Sequence, residues 1–412
     1  MIIPDEAWQL ICQVLSPMVS QKAEINAALG YYLAEPVLAD RDIPPADRAA
    51  MDGFAVRSAD LATIPMGLRI VGEVAAGASA DLPFGPGECA RIFTGANVPS
   101  GADTVIRVED TSFGSFDGQT SCGEVVVNVS APVGSNIFRR GENAHQGQTL
   151  LRARTYLGAN QIGVAAAVGS STITVHAKPT VAVLTTGAEL LAAEAAVAGI
   201  HETRDSNSHM LEAACRSEGF SVVLRRAVQD DLETIRRAVQ QARQTAAVII
   251  LTGGVSAGKY DLVRPALDSL GATVHYHGVA VRPGRPQLFA SLPDGIAVFG
   301  LPGNPLSAAV GLYEFVLPGL RLLAGCPADR CRPLLHLPLS TSAGKKCVPA
   351  QIIPAVLNAG PAGTRISPRP PVGSADLVTA GVVDGAILVP SESGPLLAGT
   401  IAVFRPWGGL CR

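Results

Sequence analysis

The 412-residue chain lacks an excess of either charge: 32 Lys and Arg stand against 35 Asp and Glu, a net charge of −3. That excludes an overall basic field for nucleic acid or an anionic membrane, so any anion must be caught locally. Zinc patterns are missing too. The eight cysteines (Cys12, Cys89, Cys122, Cys215, Cys326, Cys331, Cys347 and Cys411) include no C-x-x-C pair, and the seven histidines form no H-x-x-x-H or H-E-x-x-H. Reduced thiols are the expectation. No apolar run approaches the ~20 residues of a membrane span. The start, MIIPDEAWQLICQVL, carries Asp5 and Glu6 with no cation before Lys22, unlike a secretory signal. The expected protein is soluble and cytoplasmic, with no nucleic-acid or membrane partner.

What the chain has is turn formers. It holds 43 Gly and 30 Pro with 16% charged residues, the texture of many turns and several irregular β regions rather than one helical bundle. At ~150 residues per domain, two to four domains are expected. Residues 5–34 place Ala7, Leu10, Ile11, Val14 and Leu15 at helical spacing, and AEINAALGYYLAE repeats the pattern. From 41 to 138 short apolar runs alternate with Gly, Pro, Asp and Ser, as in a compact β domain. A β turn and an Ala-rich helix follow over 139–176. From 178 to 325 strands and helices alternate, which argues for a mostly parallel sheet covered on both faces. Residues 326–412 return to Pro- and Gly-punctuated β texture.

Three loops in the alternating segment each follow a strand: TTGAEL (185–190), TGGVSAGKYD (252–261) and GLPGNP (300–305). In an open parallel sheet such loops share the carboxyl edge, where ligands bind. Gly253 and Gly254 would let backbone N–H groups approach a phosphate or similar oxyanion, Ser256 offers a hydroxyl, and Asp261 would hold a metal or orient water. The plainer reading makes the glycines tight turns and Asp261 an N-cap. VRPGRP (281–286) sets Arg282 and Arg285 around a Pro-Gly turn, as an oxyanion clamp or as solvated turn residues. Asp230 and Asp231 are most simply an N-cap and a first-turn acid, although an acid at a strand end also suits Mg²⁺. Read locally, Asp52 in MDG and Thr94 in FTG are turn chemistry, Glu142 in RRGEN sits in a solvated charge cluster, and His275 and His277 are structural.

The ordered set PPADRAAMDGFA, IFTGA, RRGEN, TTGAEL, DSN, QDD, TGGVSAGKYD, VRPGRP and GLPGNP resembles the molybdopterin molybdenumtransferase family, known as MoeA in bacteria and as the gephyrin E-domain in animals. The resemblance runs essentially from end to end. It implies an α/β-plus-β fold of several domains: a discontinuous elongated helical and β domain (1–40 and 139–177), an inserted small β domain (41–138), a three-layer α/β molybdopterin-binding-like domain (178–325) and a C-terminal β-barrel (326–412). It also implies a homodimer with a composite site, and dealings with other proteins of the molybdopterin pathway. The implied reaction is Mg²⁺-dependent insertion of molybdate into adenylylated molybdopterin with release of AMP. By motif, Asp52, Thr94, Glu142, Glu189 and Asp261 match catalytic positions, and Asp230 with Asp261 would hold the metal. Gly253, Gly254, Ser256, Arg282, Arg285, Pro302, Pro305 and, in the late GSADL, Ser374 would bind substrate. Several positions depart from the family pattern: Ala188 and Asn143 stand where acids are usual, Lys259 and Gly278 also differ, and Arg282 and Arg285 stand where lysines are usual, keeping the sign of charge. The alternatives are a divergent paralogue using tungstate or another pterin nucleotide, and a non-catalytic pterin-binding scaffold.

Overall fold

The structure is a computed structural model that describes residues 1–82, 85–117, 122–196, 199–255, 262–361 and 363–408. Two compact units share the chain: Met1–Glu35, Ala153–Ile162 and Thr172–Arg412 form one, and Pro36–Arg152 with Gly163–Ser171 form the other.

The larger unit is built on a six-stranded sheet. In chain order its elements are β1 (Val181–Thr186), α1 (Ser206–Ser217), β2 (Val222–Val228), α2 (Leu232–Ala242), β3 (Val248–Thr252), α3 (Val263–Ser269), β4 (Thr273–His277), β5 (Leu288–Ser291) and β6 (Ala297–Leu301). The sheet order is β2-β1-β3-β6-β5-β4. The first four strands are mutually parallel; β5 pairs antiparallel with β6, and β4 at the edge pairs antiparallel with β5. Every residue of β1, β3 and β6 is buried, because one apolar cluster packs α1 and the helical stretch after β6 on one face and another packs α2 and α3 on the other. Continuous apolar strands are the expected signature of a sheet buried on both sides.

The stretch Pro305–Leu323 is long and apolar enough to cross a membrane, contrary to the expectation that no such run exists, yet nearly all of it is buried inside the protein. Its apolar surface is spent on the core. A π-turn, Leu312–Val316, interrupts it between Pro305–Gly311 and Leu317–Leu323.

The same unit carries a second sheet. Its order is Val281–Arg282, Ala350–Asn358, Gly385–Val389, Ile401–Pro406 and Leu335–Pro338, with Arg365–Pro368 paired to Ala350–Asn358. At the N-terminus the helix Pro4–Val14 forms as expected. The second expected helix does not. Ser20–Glu24 instead pairs antiparallel with Thr172–His176, and only the 3₁₀ turn Ile25–Ala28 remains of the helical pattern. A distant strand supplied hydrogen bonds that local spacing could not reveal.

The smaller unit holds a five-stranded sheet in the order Thr104–Arg107, Gly53–Val56, Glu88–Ile92, Met66–Val74, Gly123–Val127. Its core includes Phe54, Leu68, Ile106 and Val125, all fully or almost fully buried. Two short pairings, Arg48–Ala49 with Ile137–Phe138 and Val37–Leu38 with Thr149–Leu151, join residues before the sheet to residues after it.

Candidate functional site

The four parallel strands end at a cavity of about 570 Å³. Thr185, Thr186 and Gly187 enter it from the end of β1, Asp230 from beyond β2, Thr252, Gly253 and Gly254 from β3, and Pro302, Gly303, Asn304 and Pro305 from β6. Glu189, Arg204, Asp205, Ser206 and Asn207 line it as well, together with Pro286 and Ala375. This is the carboxyl edge of an open parallel sheet, where the strand-end loops leave a crevice.

Side chains behind the cavity hold the loops together. Thr252 donates its hydroxyl to the Pro302 carbonyl at 2.9 Å, and Asn207 Nδ2 donates to Thr252 Oγ1 at 3.0 Å and to the Gly303 carbonyl at 2.8 Å. Thr185 donates to Asp205 Oδ2 at 2.8 Å while Asp205 Oδ1 caps α1 by accepting from Ser208 N at 3.0 Å. The loop after β1 is tied to the start of α1 by a short parallel pairing, Leu190–Leu191 with Thr203–Arg204. Beside that pairing the Thr203 N–H donates to the Glu189 carbonyl at 2.9 Å.

The double glycine is sterically required. Gly253 has φ +89 and Gly254 φ +61, and a Cβ on Gly253 would run into the Thr186 carbonyl oxygen. On Gly254 it would lie 3.0 Å from Thr186 Oγ1 and 3.5 Å from Asp230 Oδ1. The left-handed backbone and the close approach both demand glycine.

Within this frame the two acids of the QDD motif separate. Asp231, not Asp230, is the N-cap of α2: its carboxylate accepts from Thr234 N at 3.0 Å. Asp230 is left at the cavity, where its Oδ1 is buried with no hydrogen-bond partner among the described residues. Burial first, then the charges of Glu189 and Asp231, push its carboxyl above the usual range. Thr186 Oγ1 and Asn207 Oδ1 are likewise buried and unpartnered. Buried polar atoms are rarely left so, and three of them among the lining residues mark a place prepared for a ligand. Among the described residues no three His, Cys, Asp or Glu side chains form a metal cage. Asp261 and Ser256 lie outside the described residues.

The expected substrate-binding residues divide in two. Gly253, Gly254, Pro302 and Pro305 line the cavity, and Ser374 reaches its rim by accepting from Asn304 Nδ2 at 2.8 Å. Arg282 and Arg285 are exposed and outside the lining, although Pro286 of the same turn is part of it. Of the departures, Ala188 is exposed and absent from the lining, and Gly278 sits at φ +96, so neither interrupts the cavity wall. Lys259 falls outside the described residues. His275 meets Ser291 Oγ and His277 the Val255 carbonyl, in line with structural roles. Thr186, Thr252 and Asn207 were not singled out from sequence. Their only local signal is position, at a strand end or in the first turn of a helix.

The smaller unit holds the other three acid and hydroxyl candidates. Asp52 Oδ1 accepts from Thr94 N at 2.8 Å and from Thr94 Oγ1 at 2.7 Å, and these two bonds hold its carboxyl below the usual range. Glu142 Oε2 accepts from Arg139 N at 2.8 Å. The charge cluster around it is a set of ion pairs: Arg139 with Asp47 at 2.6 Å and Arg140 with Asp42 at 2.7 Å. Asn143 is exposed and its N–H donates to the Ile43 carbonyl.

Known proteins align with both units. The family described as "MoeA N-terminal region (domain I and II)" matches residues 2–169, and the one described as "Probable molybdopterin binding domain" matches residues 182–322. A protein of Nostoc sp. named molybdopterin molybdenumtransferase is 34% identical over 324 residues, which is 77% of this chain and 72% of that protein. The chain belongs to the molybdopterin molybdenumtransferase family. Family membership makes it a transferase. A family member of the same name from Bacillus subtilis is 32% identical over 334 residues, 79% of this chain and 76% of its own. A crystal structure titled as the molybdopterin biosynthesis MoeA protein of Pyrococcus horikosii superposes with a TM-score of 0.80 at 27% identity, covering 99% of this chain and 100% of that one.

Proposed function

We propose that this molybdopterin molybdenumtransferase family member acts in molybdenum cofactor biosynthesis, inserting molybdate into adenylylated molybdopterin with release of AMP. The observation that carries the reading is Asp230, an unpartnered acid at the mouth of a glycine-lined cavity on the carboxyl edge of the sheet. Such a group calls for a cation, and the donor set fits Mg²⁺, which takes one or two carboxylates and completes its shell with water and substrate phosphate. Asp230 would hold it, with Glu189 close enough to add its charge, and Asp261 is assigned to the same ion from its motif. The ion, when bound, neutralises charge on the phosphoanhydride oxygens.

The chain's own residues do the rest. Gly253 and Gly254 keep side chains out of the way of the phosphates, and the first turn of α1 presents backbone N–H groups to them. Asn207 Oδ1, fixed by the two bonds its amide donates, is placed to accept from a substrate N–H or O–H. Arg282 and Arg285 are assigned to capture of the oxyanion, a role supported by Pro286 of their turn lining the cavity. Asp52, Thr94 and Glu142 are assigned to the same reaction in a homodimeric, cytoplasmic enzyme. The larger unit is read as a molybdopterin-binding-like part and a C-terminal barrel, the latter supported by a bridge between Leu339 and Ile366 beyond the ordinary strand pairs. Adding molybdate to protein loaded with adenylylated molybdopterin and Mg²⁺ should release AMP. Tight pterin binding with no AMP would leave only a binder.

A further inference from the structure

A second cavity in the larger unit, of about 270 Å³, shares no lining residue with the first. Its walls are mostly apolar, from residues such as Ile3, Pro4, Ile352 and Leu388, yet Glu314 and Arg332 line it too. Glu314 comes from the π-turn in the long buried helix, an irregularity that often marks function.

Charge at this spot is out of balance. Arg332 Nη2 donates to Glu314 Oε2 at 3.0 Å, and Arg405 Nε lies 2.7 Å from Glu314 Oε1. The two arginine side chains are 10% and 4% exposed, and the one carboxylate between them is 1% exposed. The other acid in reach, Asp5, is 82% exposed and stands 3.4 Å from Arg332 Nη1, too far for a strong bond. Among the described residues Arg332 Nε and Arg405 Nη1 are buried with no hydrogen-bond partner. Two buried cations sharing one buried anion is a costly arrangement that a further anion would relieve. The Arg332 guanidinium is held in place by rings, with Trp8 centred 5.6 Å and Phe315 5.9 Å away.

The geometry points to a binding site for a small apolar monocarboxylate, whose carboxylate takes Arg332 Nη1 from Asp5 and whose ring or short alkyl chain fills the apolar walls. The volume is below the ~300 Å³ at which drug-sized pockets begin, so the ligand is of benzoate size.

Benzoate is therefore the probe. Titration into the full chain by calorimetry, with the Trp8 indole N–H resonance as local reporter, should show one site. Benzamide has the same shape without the charge and should bind about tenfold more weakly, the worth of one charge-assisted hydrogen bond. Asp5→Asn should tighten benzoate about threefold by removing a competing, solvent-screened anion, and should leave benzamide unchanged. Arg332→Gln would remove the Arg332–Glu314 bond along with the proposed ligand contact, so it disturbs the fold as well as the site. Ala350→Leu is the better block, since it narrows the cavity without touching the ions, and should abolish binding of both probes. No heat and no Trp8 shift with benzoate would overturn the site. So would equal affinities for the two probes, unchanged benzoate affinity in Asp5→Asn, or binding that survives Ala350→Leu.

Discussion

Asp52 and Asp230 look alike in the sequence, each an acid in a turn at the end of an apolar run, and the structure treats them in opposite ways. Asp52, in the smaller unit, is satisfied by its own chain: two bonds from Thr94 stabilise its charge and hold its carboxyl below the usual range. Asp230, in the larger unit, has one oxygen buried without a partner and is pushed up by burial and by two neighbouring acids. A satisfied acid orders its own loop. An unsatisfied one in a cavity is a candidate for completion from outside.

The sharpest way to break this contrast is to remove each acid in turn. Asp230→Ala should lower Mg²⁺-dependent AMP release on the order of a hundredfold or more, as losing a metal ligand does. The thermal midpoint should stay or rise, because a desolvated charge is gone. Asp52→Ala should lower the midpoint slightly, since Thr94 loses its acceptor. Wild-type turnover in the Asp230 variant, or clear destabilisation by it, would remove the distinction.

The glycines extend the comparison to the backbone. Gly253 at φ +89 has a carbonyl where its Cβ would go, whereas Gly95, beside Thr94 at φ +83, has open space. Alanine at Gly95 meets only the conformational penalty, about 1 kcal/mol. Alanine at Gly253 must also push strands β1 and β3 apart and should cost about 3 kcal/mol in denaturant unfolding. Equal losses at both positions would show that the cavity loop yields.

What could be read in advance follows the range of the interactions. The sheet was legible because AAVII and its neighbours are apolar without interruption, and the loops because TGG and LPGNP stop such runs with residues that favour turns. The N-terminal AEINAALGYYLAE was misread because its partner, Thr172–His176, is far along the chain. The QDD pair was read one residue out of place, since which acid caps a helix depends on where the first turn starts. Thr186, Thr252 and Asn207 sit inside the TTGAEL, TGGVSAGKYD and DSN motifs, but nothing local marks them out within those motifs. Their roles consist of contacts between loops that only the folded sheet brings together.

A third test asks whether the satisfied acid serves the reaction. If the proposed homodimer shares its site between subunits, Asp52→Ala and Asp261→Ala subunits should each be inactive alone and regain part of the wild-type AMP release when mixed, because a mixed dimer then keeps one complete set of groups. Absence of recovery, with mixed dimers demonstrated by mass spectrometry, would confine Asp52 to its turn.

The smallest effect should be the most specific, because the two acids respond to pH with opposite signs. Asp52 has a folded pKa below its unfolded value, so the stability it adds is present above the unfolded pKa and is lost as pH falls through the folded one. Asp230 has a folded pKa above the ordinary 3.8, so the folded protein holds that proton more tightly than the unfolded chain, and stability declines as pH rises through the folded value. If Asp230 holds Mg²⁺, the ion must displace its proton, so the apparent affinity should be lower at about pH 5 than at about pH 7, the loss setting in at a higher pH than for an ordinary carboxylate. The readout is the Mg²⁺-induced rise in the thermal midpoint at the two pH values. Asp230→Asn should abolish the rise at both, while Asp52→Asn should leave the rise and its pH dependence intact, because Thr94 and not a cation completes that acid. A Mg²⁺ response that is independent of pH, or one that disappears with Asp52 and survives without Asp230, would reverse the roles assigned to the two carboxylates.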